Sequence, residues 1–307
     1  MRIAAMAAGA VGGYFGGRMA AAGHDVYFIA RGANRDAIAK NGLRIESVHG
    51  DLHLPKVNVT DDPARVGPVD IVLFAVKLWD TEKAAEQAKP LVGPNTRVIT
   101  FQNGVDSVER VGAVIGPEKS VCGIAYIATV IASPGVVKHT SSFASMRFGH
   151  ADKHDDPALT AFAEAGKAAK LDIALSPDIE VERWQKFIFL SAMAGATATL
   201  RSAIGPIVAD PDLRGFFRRL MEEAYAVGRA KGVAVPASYV DERMDFVLNK
   251  VEPGMKASMA HDLERGNRLE LDWLNGKVVE LGRALKVPTP SHEAAYTALK
   301  LHRMGRQ

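Results

Sequence analysis

The 307-residue sequence has a single cysteine, Cys122, which excludes an intrachain disulfide and fits a reducing cytoplasm. It has no long apolar run. The most apolar helix candidate, Phe187–Leu200, is too short and too rich in Ala, Thr and Gly to span a membrane. Met1 leads straight into a candidate strand with no basic segment ahead of an apolar one, so no signal peptide is expected. No charge sign dominates: 38 Lys and Arg against 35 Asp and Glu give a formal net charge of +3. That excess is too small and too dispersed for a nucleic-acid partner, although it suits an anionic cofactor and an anionic substrate. Internal repeats and low-complexity tracts are also missing. What remains is the composition of a soluble globular chain long enough for about two domains, each with its own core.

Two further absences fall inside the stretch around which the chain is organised, Met1–Arg31. Arg2–Met6 is a short apolar run, small residues follow to Gly13, and Val11, Phe15, Met19 and Ala22 mark one helix face. Gly23-His24 stops that helix and Val26–Ile29 is a second apolar run. Strand, glycine turn, helix and strand make the first half of a dinucleotide-binding unit. The turn spells Ala7-Ala8-Gly9-Ala10-Val11-Gly12. Gly9 lets the backbone approach a pyrophosphate at the helix N-terminus, and Gly12 lets the helix pack close to the first strand. The first absence is the leading glycine of the fingerprint, here Ala7, which requires a turn with negative φ at that residue. The second is the acidic residue that ends the second strand of NAD-preferring sites. Here the strand ends Ile29-Ala30-Arg31-Gly32, Arg35 follows, and no carboxylate opposes them until Asp36. A guanidinium at Arg31 can grip a 2′-phosphate in bidentate fashion, so NADP(H) is the expected cofactor.

Beyond Arg31 the pattern predicts a short helix around Asp36–Lys40 and two extended runs, Leu43–Ser47 and Leu52–Val59, joined like a hairpin at His49-Gly50-Asp51. Asp70–Val76 reads as a buried parallel strand with Lys77 at its carboxyl end. A helix over Thr81–Leu91 and a strand over Arg97–Phe101 lead to Gln102-Asn103-Gly104. Ligands of open α/β sheets lie beyond the carboxyl ends of the strands, which places Lys77 and Asn103 suitably; an exposed lysine and a turn-forming Asn-Gly are their plainer readings. Val121–Ala128, Val136–His139 and Ser145–Phe148 read as three further strands. Gly149–Asp156 reads as a polar connector rather than a metal site, despite His150 and His154. A helix over Ala158–Ala169 and a strand over Asp172–Leu175 close the α/β part. From Ile179 onward the pattern is helical, with candidates at 181–200, 211–231, 236–251, 255–265, 270–284 and 292–304. Two domains are therefore expected, residues 1–177 and 178–307, with the boundary near Pro177.

Two groups carry candidate chemistry. Lys186 heads an apolar stripe continued by Leu190, Met193, Ala194 and Thr197. Burial disfavours an ammonium unless it is paired, and a lysine so tuned acts as a general acid near neutral pH; snorkelling from the helix end is the alternative. Ser258 and Asp262 share a helix face by spacing, while Glu270 falls roughly 120° from Ser258 on a straight helix unless Gly266 bends it. A solvated charged face is the plainer reading there.

Taken together, these stretches resemble the ketopantoate reductases (2-dehydropantoate 2-reductases) over essentially the whole chain. The resemblance rests on the opening fingerprint with Gly23-His24 and Ile29-Ala30-Arg31, then Ala75-Val76-Lys77, Gln102-Asn103-Gly104-Val105 and Pro134-Gly135-Val136. It continues through Trp184-Gln185-Lys186, Ser258-Met259 with Asp262, and Glu270-Leu271-Asp272 with Asn275-Gly276. It implies a Rossmann domain followed by a helical domain like that of 6-phosphogluconate dehydrogenase, with the active site between them. The implied reaction passes a hydride from NADPH to the ketone of a 2-oxo acid, giving a 2-hydroxy acid in pantothenate biosynthesis. Lys186 matches the family's catalytic lysine and Glu270 its acidic partner. Asn103 matches the asparagine near nicotinamide and substrate, Ser258 the serine on the substrate carboxylate, and Lys77 a lysine lining the cleft. Residues 7–12, Arg31, Lys77 and Asn103 are thus the expected cofactor contacts, and Asn103, Lys186, Leu190, Ala194, Ser258 and Glu270 the expected substrate contacts.

Three positions depart from the family's pattern. Leu190, Ala194 and Met255 stand where family members carry substrate-binding asparagines. Losing one hydrogen bond to a buried polar substrate group costs about 1–3 kcal/mol. The expected substrate is therefore ketopantoate or a related, more apolar 2-oxo acid. Reduction of another carbonyl or an imine, and an NADP(H)-sensing protein without turnover, are the competing readings. A homodimer is compatible with the sequence.

Overall fold

The structure is a computed structural model that describes residues 1–306. Two compact units divide the chain: residues 1–102 with 106–179, and residues 103–105 with Glu180 onward. The first unit holds β1 (Arg2–Met6), α1 (Ala10–Ala21), β2 (Asp25–Ile29), α2 (Gly32–Asn41), β3 (Leu43–Ser47), β4 (Leu52–Leu54), β5 (Asn58–Thr60) and β6 (Val69–Phe74). It continues with α3 (Thr81–Ala88), β7 (Val92–Thr100), α4 (Ser107–Ile115), β8 (Ser120–Ser133), β9 (Val136–Gly149), α5 (Pro157–Ala168) and β10 (Asp172–Leu175).

All ten strands form one mixed sheet in the order β4-β3-β9-β8-β7-β6-β1-β2-β5, with β10 pairing the far half of β9. The run from β5 to β8 is parallel, whereas β8 and β9, and β3 and β4, are antiparallel. Both faces of the central strands are covered, which is why their sequences are apolar throughout. Along β1, Ile3 and Ala5 join a core with Tyr14, Phe15 and Met19 of α1 and Phe162 of α5. Ala4 and Met6 point the other way, into a core with Ala84, Ala85 and Ala88 of α3 and Val111 of α4. The period-2 alternation of a strand thus assigns each residue to one of two helical layers.

Three expectations change here. The run Leu52–Val59 is not one strand: β4 pairs β3 in the hairpin, and β5 leaves to extend the opposite edge beside β2. Pro55 separates them and has no backbone N–H to continue a ladder. The stretches Val136–His139 and Ser145–Phe148 are one strand, β9, running beside β8 with register shifts between Ile127 and Thr129 and between Ile131 and Ser133. The helix expected over 270–284 starts later, as described below.

The second unit holds α6 (Ile179–Thr199), α7 (Ile204–Ala209), α8 (Pro211–Ala230), α9 (Tyr239–Lys250), α10 (Ser258–Arg265), α11 (Asn275–Leu285) and α12 (Pro290–Leu299). Helix α7 carried no separate sequence signal. The core of this unit gathers Trp184, Ile188, Ala192 and Ala196 of α6 with Phe217, Leu220 and Met221 of α8 and Leu271, Leu274 and Val278 around α11. Asn275, fully buried, bolts three helices together: its Nδ2 donates to the Ser191 carbonyl at 3.1 Å and to His292 Nδ1 at 3.0 Å. No helix among the described residues is long and apolar enough to cross a membrane.

Candidate active site

The glycine turn between β1 and α1 leaves the N-terminus of the helix open. Gly9 caps α1 with φ −81° and ψ −160°, and no side chain caps the helix or places an acid in its first turn. A Cβ added at Gly9 would meet nothing within 4 Å, so the space over the helix N-terminus is open. Gly12 is the opposite case, because a Cβ there would lie 2.3 Å from the Ala7 carbonyl oxygen. Ala7 avoids positive φ, so the turn works without the leading glycine. Asn34, which the sequence reading missed, braces the turn: its Nδ2 donates to the Ala8 carbonyl at 2.9 Å and its Oδ1 accepts from Gly135 N–H at 2.9 Å. Its two partners lie far away in sequence, so no local signal marks it.

Arg31 sits at the start of α2, exposed and without an ion pair among the described residues. Arg35, one turn on, is held by Asp36 at 2.6 Å and Asp61 at 2.7 Å. Of the two guanidinium groups only Arg31 is uncommitted. Lys77, just beyond β6, is exposed with its Nζ 5.5 Å from the centre of the Trp79 ring. Gln102 ties the ends of neighbouring strands, donating to the Val76 carbonyl at 3.1 Å and to Thr81 Oγ1 at 2.8 Å.

After Gln102 the chain makes a brief excursion. Asn103–Val105 belong to the helical unit, Gly104 takes φ +89°, and Val105 is buried in that unit's core. Asn103 Nδ2 donates to Glu270 Oε2 at 3.3 Å, joining two residues 167 positions apart. Glu270 is buried, at 6% exposure. It is not part of α10, because Gly266 ends that helix in the left-handed conformation (φ 71°, ψ 25°). Glu270 instead opens the turn Leu271–Trp273 that precedes α11. The straight-helix relation between Ser258 and Glu270 therefore does not apply.

Lys186 is half-buried on α6, two residues after Trp184, whose ring is fully buried. At 100° per residue that spacing turns the lysine away from the core side. Leu190, one turn on, is half-buried, but Ala194 has no exposed surface and is packed inside the helical core. The apolar wall expected after Lys186 thus reduces to Leu190. Thr197 is committed, its Oγ1 donating to the Met193 carbonyl at 2.6 Å and accepting from Ala257 N–H. Ser258 is exposed in the first turn of α10, with Asp262 one turn on and bonded to Asn267 at 3.1 Å. Met255 is 38% exposed.

The connector at 150–156 is more organised than its composition suggests. Asp156 caps α5 through Ala158 N–H and accepts from Arg97 Nε and from His150 Nε2 at 3.0 Å; these donors hold its carboxyl at about 2, below the ordinary 3.8, against the opposing pull of burial. The His150 and His154 rings stack at 3.9 Å. Ligand-type atoms of His150, His154 and Asp156 lie within 4.8 Å of one another, yet the Arg97 guanidinium already neutralises the one carboxylate.

A Rossmann-like sheet followed by a helical unit sets the chain among the two-unit oxidoreductases. Comparison with known proteins narrows the class. The family described as ketopantoate reductase PanE/ApbA matches residues 3–153, and its C-terminal counterpart matches residues 178–303. A 2-dehydropantoate 2-reductase of Mesorhizobium japonicum is 32% identical over 321 aligned positions, covering 98% of this chain and 97% of that protein. The crystal structure of a PanE/ApbA family ketopantoate reductase from Ralstonia eutropha superposes with a TM-score of 0.89 at 32% identity, over 99% and 98% of the two chains. A D-mandelate dehydrogenase, solved with NADH and anilino(oxo)acetate, shares the fold at 19% identity, with a TM-score of 0.89 over 99% and 98%. The chain belongs to the ketopantoate reductase family and is an oxidoreductase.

Proposed function

We propose that this protein reduces a 2-oxo acid to a 2-hydroxy acid with NADPH, the substrate being 2-dehydropantoate or a related 2-oxo acid with a more apolar side chain. The observation that carries the reading is the bond from Asn103 to the buried carboxylate of Glu270, in the same unit as Lys186. When bound, the reduced nicotinamide supplies the hydride for the carbonyl carbon. The turn 7–12 would hold the pyrophosphate, with the backbone of Gly9 close to it, and Arg31 the 2′-phosphate. Lys77 would add charge beside the cofactor.

The remaining work falls to side chains of the helical unit. Hydride addition leaves an alkoxide, and Lys186 Nζ gives it a proton. Glu270 accepts from the substrate hydroxyl and orients the lysine, while Asn103 fixes the carboxylate of Glu270 and faces the carbonyl. Ser258 donates its hydroxyl to the substrate carboxylate. Leu190, where family members place an asparagine, offers a distal hydroxyl no partner and favours an apolar side chain. The test is a screen of NADPH oxidation over a panel of 2-oxo acids that includes ketopantoate. Turnover of at least one of them, with an apolar member outperforming ketopantoate, is expected. No oxidation with any member refutes the reading.

A further inference from the structure

On the functional reading above, we propose that Arg243 is a second contact to the substrate's carboxylate, beside the Ser258 hydroxyl, and supplies the charge that sets the preference for 2-oxo acids over neutral ketones. Arg243 lies in the middle of α9, and two contacts dock that helix on the stretch of α6 that carries Lys186. Below it, the Tyr239 hydroxyl donates to the Gln185 carbonyl, next to Lys186. Above it, the Phe246 ring meets Phe189 with centres 6.3 Å apart. Gln185 and Phe189 are one turn apart on α6, with Lys186 between them. Tyr239 and Phe246 bracket Arg243 in the same way, so its guanidinium faces the lysine's turn of α6.

The guanidinium is held but not neutralised. It stacks 5.5 Å from the centre of the Tyr239 ring and 5.0 Å from that of Phe246. Its Nε is buried without a hydrogen-bond partner, and it makes no ion pair among the described residues. Carboxylates are not scarce nearby; each neighbour is committed elsewhere. Asp241 pairs with Arg218 at 2.5 Å, Glu242 accepts from Ser238 at 2.6 Å, and Asp245 accepts from Asn249 at 2.8 Å. A half-buried fork of donors, stiffened by two rings and left without an anion, is suited to bidentate capture of a planar carboxylate. The Phe246 ring and the Phe189 ring packed against it would desolvate that carboxylate, which makes a matching cation necessary.

The test compares each 2-oxo acid with its own methyl ester, which keeps the ketone and removes the charge. With wild-type protein the acid should have the higher kcat/KM. Arg243→Met should raise KM for the acid about 30-fold or more while leaving the ester within about threefold. Arg243→Lys, which keeps charge but loses the fork, should fall between and guards against a folding defect in the methionine variant. Calorimetric binding of oxamate, a non-reducible analogue, in the presence of NADP⁺ should weaken in parallel, while the Kd for NADPH stays fixed. An acid-to-ester ratio unchanged by both substitutions overturns the assignment. Wild-type protein that reduces no 2-oxo acid overturns the functional reading instead, and oxamate then decides Arg243 alone: an unchanged Kd in both variants refutes it.

Discussion

Two glycines of the same turn make opposite predictions when replaced by alanine. At Gly12 the new methyl group would lie 2.3 Å from the Ala7 carbonyl oxygen, against an ordinary contact of 3.4 Å or more. The obstacle is backbone and cannot rotate away, so α1 must move off β1 by roughly 1 Å. Overpacking of this kind costs about 1–3 kcal/mol, or a few degrees to about 10 °C in Tm for a domain of this size. At Gly9 the methyl group meets nothing within 4 Å, and φ is −81°, a value alanine adopts freely. Gly9→Ala should therefore leave Tm unchanged or raise it slightly, since it restricts the unfolded chain. The same methyl group fills the space a pyrophosphate needs, so NADPH should bind about 10–100-fold more weakly. Differential scanning fluorimetry reads the first effect and a fluorescence titration with NADPH the second. A Gly9→Ala protein with wild-type NADPH affinity would show that the pyrophosphate does not approach this turn, and the cofactor assignment would fall with it.

Other expectations follow from the same geometry. Arg31→Ala should weaken NADPH about tenfold or more without changing NADH, while Arg35→Ala, whose charge is already met by Asp36 and Asp61, should change neither; equal wild-type affinities for the two cofactors would contradict this. Leu190→Asn should move kcat/KM toward ketopantoate relative to an apolar 2-oxo acid, and an unmoved ratio would show that this position does not touch the substrate. Burial holds the His292 pKa down at about 4, from an ordinary 6.5, with Nε2–H donated to the Leu220 carbonyl at 2.8 Å. The unfolded chain takes up that proton as pH falls below 6.5 and the folded chain resists until about 4, so stability is full above 6.5 and drops by roughly 3 kcal/mol across that window. Urea melts at a series of pH values should show this slope, and His292→Gln should lose it.

The parts of this molecule that were legible in the sequence are those whose signal is local. The short apolar run of β1, the apolar sweep of α6 and the extent of α8 were all read from neighbouring residues. What the sequence hid depends on distance. The two halves of β9 read as separate strands because Thr140-Ser141-Ser142 breaks the apolar pattern, yet strand pairing with β8 needs only backbone. Leu52–Val59 read as one strand because nothing local says that its halves pair with opposite edges of the sheet. In the site, Lys186 stood out as a lysine at the head of an apolar stripe. The Asn103–Glu270 bond and the bracing by Asn34 and Asn275 could not be seen, since each partner lies tens of residues away or more. Arg243 was invisible for the same reason: the contacts that dock its helix on α6, Tyr239 with Gln185 and Phe246 with Phe189, join residues distant in sequence.

The central claim is that hydride goes to the carbonyl carbon of a 2-oxo acid and that Lys186 supplies the proton. It is tested most directly by turnover with NADPH carrying deuterium at both C4 positions of the nicotinamide, followed by mass spectrometry and NMR of the product. Wild-type protein should yield a 2-hydroxy acid carrying one deuterium at C2. Lys186→Ala should make the same product with kcat lower by about 10²–10⁴ and the Kd for NADPH unchanged. Deuterium absent from C2, or a Lys186→Ala protein that keeps most of its turnover, would contradict the account.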